Sequence, residues 1–141
     1  MNITGLNKDY AILLEGVISR IRELGIKIGT MFLDREFFNL LAILTLFSMG
    51  VDFIMAAKIN KRIKAMLEEH KRENGVSPVI FIYRFGDKRS PEFYLMAIPN
   101  PDYDPEDDKK KNEFHLFTTS INFGSVEEFV MKVPEEYKRI S

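Results

Sequence analysis

Residues 26–57, IKIGTMFLDREFFNLLAILTLFSMGVDFIMAA, decide the fold of this chain. Two short apolar runs, 26–33 and 51–57, flank a longer apolar segment over 36–48. In the longer segment the apolar positions recur with the spacing of one helix face: Phe37, Leu40, Leu41, Leu44 and Phe47. A strand, a helix and a second strand in close succession predict two neighbouring parallel strands that are joined by a helical crossover.

The segments before and after this stretch extend the same alternation. Residues 8–24 carry apolar residues at helical spacing, and Gly25 is suited to end that helix. A third helix is predicted over 60–73, with Asn60 at its start and Gly75 at its end. The first half of the chain therefore predicts the order helix, strand, helix, strand, helix, which is typical of an α/β architecture.

A different pattern begins after Pro78. Apolar runs at 79–85 and 92–98 flank a short turn, which predicts a β-hairpin. Residues 99–112 hold three prolines and a block of charged residues, and they are typical of a solvated loop. A third strand is predicted over 113–120.

Two short helices are predicted near the end of the sequence. Ser125 and Glu128 have the spacing of a capping box, and Pro134 suits the first turn of a further helix. The whole chain is thus predicted to have an α/β fold, α+β overall, in which parallel strands and helices precede antiparallel strands. We expect one compact unit with three parts: an α/β core (1–75), a β-rich segment (76–124) and a C-terminal helical segment (125–141).

The composition is that of one ordinary folded domain. The chain has 141 residues, of which 45% are hydrophobic and 29% charged, and its formal net charge is −1. This charge excludes a uniformly basic nucleic-acid coat and leaves a local basic patch open. With no cysteine and two histidines, His70 and His115, the chain has no disulfide, no thiolate nucleophile and little material for a His-rich metal site. No motif for a small-molecule substrate is evident.

The uncharged run over 37–51 raises the question of a membrane span. It has fifteen residues and is followed by Asp52, whereas a spanning helix needs about 20 apolar residues. The first residues of the sequence also lack the basic start and apolar centre of a signal peptide. We therefore expect no membrane association and a cytoplasmic location.

Asp34 carries the most information about function. It directly follows the predicted strand over 26–33 and precedes the predicted helix. Ligands of α/β sheets gather at the carboxyl ends of strands, where a carboxylate can hold a divalent cation together with partners from other strands. Aspartate is also a favoured N-cap, and the spacing alone favours a side chain that accepts a hydrogen bond from the amide of Glu36 or Phe37.

The same stretch of sequence resembles a known family. Residues 31–38, MFLDREFF, are similar to the LDREFF motif of insertion-sequence DDE transposases, whose catalytic domain has the ribonuclease-H-like fold. The resemblance continues upstream through 20–27 and downstream through 50–58 and 60–64. Residues 79–120 resemble the β-rich insertion that follows this motif in the family.

The resemblance implies a function and a set of site residues. It implies that Asp34 is the second carboxylate of a catalytic triad, which binds Mg²⁺ or Mn²⁺ and cuts and joins DNA in transposition. It also implies that five basic residues lie near DNA phosphates: Arg35, Lys58, Lys61, Arg62 and Lys64. For Lys58, Lys61, Arg62 and Lys64 the residues themselves leave a second interpretation open, in which this cluster is the solvated face of the third helix.

The sequence departs from the family pattern at the other two carboxylates. Only 33 residues precede Asp34, and Asp9, the one aspartate among them, lies at a helix start and is not assigned. The family glutamate belongs to a Tyr-x-x-Arg…Glu pattern, whereas here Ile140 stands three residues after Tyr137. We therefore expect a truncated transposase catalytic domain that binds Mg²⁺ weakly or not at all and is catalytically inactive.

Two alternatives and an expectation about assembly accompany this interpretation. The chain is alternatively a small non-enzymatic module that binds DNA or protein, or a nuclease that completes its metal site by dimerisation.

A domain of this family without its opening strands leaves a strand edge and apolar helix faces uncovered, and such surfaces drive association. We therefore expect a homodimer or higher oligomer, with the 26–33 strand or the 36–48 helix in its interface.

Overall fold

The structure is a computed structural model, and it describes residues 3–108 and 112–133. This part of the chain contains four α-helices, five β-strands and one turn of 3₁₀ helix at Arg35–Phe37. The helices are α1 (Ile3–Glu23), α2 (Leu40–Ser48), α3 (Lys61–Asn74) and α4 (Val126–Lys132). The strands are β1 (Thr30–Leu33), β2 (Asp52–Ala56), β3 (Val79–Tyr83), β4 (Phe93–Pro99) and β5 (Phe114–Thr119).

The five strands form one mixed sheet in the order β1-β2-β5-β4-β3. β1 and β2 are parallel and α2 connects them, which confirms the predicted helical crossover. The other pairs are antiparallel, and β3 and β4 form the predicted hairpin. The predicted α+β fold class is therefore confirmed. β5 lies between the parallel pair and the hairpin, and it pairs with β2 through Ile54 and Thr119.

Helices α3 and α4 begin where the sequence predicts. The Asn60 side chain accepts a hydrogen bond from the amide of Ile63 at 2.8 Å, and it caps α3. The Ser125 hydroxyl accepts a hydrogen bond from the amide of Glu128 at 3.2 Å, and it caps α4. The further helix that is predicted to begin at Pro134 lies outside the described residues.

The second helix is shorter than the predicted segment 36–48. Helix α2 begins four residues later, because the Asn39 side chain caps it by accepting a hydrogen bond from the amide of Ala42 at 2.9 Å. The residues before this cap form the 3₁₀ turn Arg35–Phe37. The predicted start was wrong because apolar residues continue at helical spacing through the turn and obscure the cap between them.

The first strand is also shorter than the predicted segment 26–33. Thr30 pairs with Asp52, which is the first residue of β2. Gly50 has a φ of +66°, a backbone conformation that favours glycine, and the chain turns there before β2 begins. Because the pairing of β1 with β2 begins at Thr30, residues 26–29 precede the paired part of β1. The Ile26 side chain is 56% exposed.

The sheet is covered on both faces. On one face, helices α1, α2 and α3 enclose a core that includes Ile18, Phe53 and Leu95, each 0% exposed. On the other face, Phe129 of α4 packs in a second core with Ile54. Phe53 and Ile54 belong to different cores because successive side chains of a strand point to opposite faces. One strand, β2, therefore contributes to both cores.

The described helices bear on the membrane question that the run over 37–51 raises. None of them is both long enough and apolar enough to cross a membrane. Helix α2, which contains most of that run, has nine residues and connects two strands of the sheet. The expectation that this run is not a spanning helix is therefore confirmed for the described residues.

Candidate functional site

Asp34 stands at the carboxyl end of β1 and caps the 3₁₀ turn. Its Oδ1 atom accepts a hydrogen bond from the amide of Glu36 at 2.9 Å. The backbone of Asp34 is extended, with φ −78° and ψ 172°, as is usual for an N-cap residue. The capping interpretation is therefore confirmed. The carboxylate is exposed, and β1 is an edge strand of the sheet.

An ion pair ties the 3₁₀ turn to the residues that follow β2. Lys58 Nζ lies 3.2 Å from Glu36 Oε2, and the two side chains are 49% and 48% exposed. Because β1 and β2 are parallel, their carboxyl ends lie side by side. Asp34 and Lys58 therefore lie at the same end of the sheet, just after the carboxyl ends of two neighbouring strands, where ligands of α/β sheets gather.

A groove of about 880 Å³ lies at the carboxyl ends of β1 and β2. The 3₁₀ turn, the residues after β2, one side of α3 and the start of β5 supply its lining. Four basic and three acidic side chains line it: Arg35, Lys58, Lys64, Lys71, Glu36, Glu68 and Glu113. We call this recess the charged groove.

A second ion pair lies in the charged groove and joins α3 to the residue before β5. Lys71 Nζ donates a hydrogen bond to Glu113 Oε1 at 2.7 Å, and the two side chains are 41% and 29% exposed. The hydrogen bond to Glu113 and the negative charge of that carboxylate raise the pKa of Lys71 above its ordinary value. Lys71 is therefore fully protonated at neutral pH.

The other two basic side chains of the charged groove, Arg35 and Lys64, differ from Lys58 and Lys71 in their contacts. Neither Arg35 nor Lys64 forms an ion pair or a side-chain hydrogen bond with any other residue in the described ranges. Among the described residues, the charged groove thus presents two positive charges without an ion-pair partner and two more that face carboxylates. An anionic ligand can approach the first two charges without first displacing a protein carboxylate.

Lys61 and Arg62, which the resemblance also implies near DNA, do not line the charged groove. Arg62 places its guanidinium over the Tyr83 ring, 4.6 Å from the centroid, and donates a hydrogen bond to the carbonyl oxygen of Arg84 at 2.6 Å. At 3.6 residues per turn, Arg62 lies on the side of α3 away from Lys64. Lys61 is exposed in the first turn of α3.

The described residues do not fit the divalent-metal site that the family resemblance implies. Within 3–108 and 112–133, no three His, Cys, Asp or Glu side chains form a group that could hold a metal ion. Asp34 supplies one carboxylate, and one of its oxygens accepts the capping hydrogen bond. Glu36 is paired with Lys58. The implied site requires three carboxylates that converge on the metal ions, and the described residues bring no such group together around Asp34.

The two histidines have different surroundings. His70 packs against the rings of Phe81 and Phe114, at centroid distances of 6.2 and 6.4 Å, and its Nε2 lies 2.9 Å from the carbonyl oxygen of Ser77. His70 is therefore a half-buried packing residue. His115 lies near the start of β5 and lines the charged groove.

Four charged lining residues were not predicted from the sequence as site residues: Glu36, Glu68, Lys71 and Glu113. Lys71 follows Lys64 by seven residues, which is two helical turns, so helical spacing could have placed it on the same side of α3. No local pattern indicates Glu113, because 42 positions separate it from Lys71. The charged groove therefore depends on the long-range pairing of β2 with β5.

The fold and this site define an α+β protein with a charged groove at the carboxyl ends of its two parallel strands. Comparison of the chain with protein-family models, curated proteins and solved structures found no match. The lining of the charged groove and the sequence motif around Asp34 are therefore the grounds on which a function can be proposed.

Proposed function

We propose that this chain is a transposase-derived protein, related to the DDE transposases, and that the charged groove binds the sugar-phosphate backbone of DNA. The observation that carries the proposal is the position of the DREFF motif. Asp34 follows β1, and the next residue, Arg35, lines the charged groove together with Lys58 and Lys64. These are three of the five basic residues that the resemblance implies near DNA. Basic contacts to phosphates supply sequence-independent affinity for DNA.

We also propose that this chain on its own does not cut DNA. DDE transposases, which the sequence resembles, use three carboxylates that converge on metal ions. In the described ranges the motif contributes one carboxylate, and no group of three potential ligands surrounds it. On this proposal the chain binds DNA without cutting it, and it does so in the cytoplasm.

The binding proposal is tested by fluorescence anisotropy with a labelled duplex over a series of salt concentrations. We expect affinity to fall linearly with salt on logarithmic axes, and Lys64→Gln to weaken binding about three- to tenfold and to lower the slope by about 0.9. Lys132→Gln is the matched control, because it removes the same charge from α4 on the opposite face of the sheet. Equal losses in both variants would show that the groove is not the DNA-binding surface.

The proposal that the chain does not cut DNA is tested with supercoiled plasmid in Mg²⁺ or Mn²⁺, at protein concentrations that bind the plasmid. We expect the plasmid to stay supercoiled. Asp34→Asn is the matched variant, because the amide oxygen can still cap the 3₁₀ turn while the charge is removed. Metal-dependent nicking by the wild-type chain that is absent in Asp34→Asn would contradict this proposal.

We further propose that the chain forms a homodimer or higher oligomer. Apolar side chains are exposed in both segments that the sequence analysis places in the interface: Ile26 is 56% and Phe47 is 37% exposed. Exposed apolar patches favour association. Light scattering after size exclusion should give at least twice the monomer mass of 16.4 kDa, and a monomer at high concentration would contradict the proposal.

A further inference from the structure

The two ion pairs of the charged groove stand near the two ends of α3. Lys58 lies three residues before the first residue of this helix, and Lys71 lies in its last turn. At 1.5 Å per residue, the helix rises about 15 Å between Lys61 and Lys71.

In both pairs a lysine ammonium group faces a carboxylate in the way it would face a phosphate. Carboxylate and phosphate oxygens both accept charge-assisted hydrogen bonds from a lysine. The separations, 3.2 Å for Lys58 and 2.7 Å for Lys71, are those of direct ion pairs. The protein's own carboxylates therefore mark two positions in the groove where an anionic oxygen is held.

Both pairs can also be exchanged easily, because all four side chains are between 29% and 49% exposed. Ion pairs in contact with water contribute little to stability, and their partners can be replaced by other ions. The pair of Lys71 with Glu113 is the shorter and the less exposed of the two. It is therefore the better place to detect an exchange.

We propose that Lys58 and Lys71 are phosphate-binding residues, that Glu36 and Glu113 hold them in the DNA-free protein, and that a DNA strand displaces both carboxylates as it enters the groove. This inference rests on the proposed function, because it assumes that the charged groove binds DNA. The inference adds Lys71 to the proposed DNA-binding residues. It also implies that Glu36 and Glu113 compete with DNA phosphates for Lys58 and Lys71. Arg35 and Lys64 make the first contacts, and the paired lysines follow.

Glu68 provides a matched control for the charge of Glu113. It lines the same groove, and its charge also raises the pKa of Lys71, although less than that of Glu113. Glu68 forms no ion pair with any residue of the described ranges. Its removal changes the potential of the groove without releasing a lysine.

The experiment compares DNA affinities of the full chain by fluorescence anisotropy with a labelled duplex. We expect Glu113→Gln to bind about two- to fivefold more tightly, by more than Glu68→Gln, and Lys71→Gln to bind about three- to tenfold more weakly. In the Lys71→Gln background, Glu113→Gln should give no more gain than Glu68→Gln gives. A gain in affinity cannot arise from misfolding, so the glutamate variants remain informative if Lys71→Gln is unstable.

Three results overturn the inference. If the wild type binds DNA but Lys71→Gln binds equally well, Lys71 makes no phosphate contact and the proposed function stands. If Glu113→Gln and Glu68→Gln give the same gain, or the gain persists without Lys71, the effect is one of general charge, and the proposed function again stands. If the wild type does not bind DNA at low salt, the proposed function fails and the inference fails with it.

Discussion

Phe129→Ala should destabilise the whole protein, because Phe129 fixes α4 to the sheet. The Phe129 side chain is 0% exposed, and its ring lies 5.3 Å from the ring of Phe117 on β5 and 5.3 Å from that of Phe123. Truncation of a buried phenylalanine to alanine costs about 3–5 kcal/mol. Domains of this size are stable by about 5–15 kcal/mol, so the loss is a large share of the total.

The measurement is thermal and urea denaturation followed by circular dichroism. A loss of this size corresponds to a decrease in Tm of about 10–20 °C for a chain of this length. We expect a single transition that shifts as a whole, because both cores share the strand β2 and the sheet cannot lose one face independently. A urea midpoint that falls while the slope stays constant would indicate lost stability without a change in the unfolding reaction.

Met131→Ala is the control for this variant. Met131 lies on the same helix and is 81% exposed, so its truncation should change stability by no more than about 0.5 kcal/mol. If Phe129→Ala were as mild as Met131→Ala, α4 would not be part of the folded core. If Phe129→Ala produced two separate transitions, the expectation that residues 1–75, 76–124 and 125–141 form one unit would be wrong.

Two further predictions concern the polar contacts of the described residues. Asp34→Ala should lower stability by about 0.5–1 kcal/mol in thermal denaturation because the amide of Glu36 loses its acceptor, whereas Asp34→Asn should leave stability nearly unchanged. Hydrogen bonds from the side chain and amide of Arg89 lower the pKa of Asp87 below its ordinary value of 3.8, so NMR titration should give a midpoint below 3.8 that Arg89→Ala raises. This contribution to stability is present above the unfolded pKa and is lost as the pH falls through the lower folded pKa.

Much of the local structure could be predicted because each signal is contained in a few neighbouring residues. Asn60 and Ser125 indicate helix starts since their side chains reach amides three positions later. Gly75, with φ +72°, ends α3 where few other residues could. The parallel pair followed from two apolar strands with a helix between them. In each case the sequence distance is short, so the pattern can be recognised without the fold.

The errors and omissions have two physical causes, one local and one long-range. Asn39 caps α2, but apolar residues on both sides of it made the preceding turn resemble part of the helix. The pairing of Ile54 with Thr119 places β5 inside the sheet, and no local signal specifies it because 65 positions separate the two residues. The charged groove was only partly predicted for the same reason, because β5 contributes to its lining. Its motif residues were found from sequence, while Glu113 enters the groove only through the position of β5.

The capping role of Asp34 and its proposed place beside a DNA-binding groove are compatible, because they use different parts of the carboxylate. Oδ1 accepts the hydrogen bond from the amide of Glu36, which begins the turn that carries Arg35 into the charged groove. A carboxylate has two oxygens and about four acceptor positions, so one capping bond leaves most of its capacity unused. The cap therefore fixes the direction of the turn and does not remove the charge. Ser, Thr or Asn could cap the turn as well as Asp does, so capping alone does not require a charged residue at this position. Asp34→Asn keeps the cap and removes the charge, and any change in function that it causes therefore reports on the charge of Asp34.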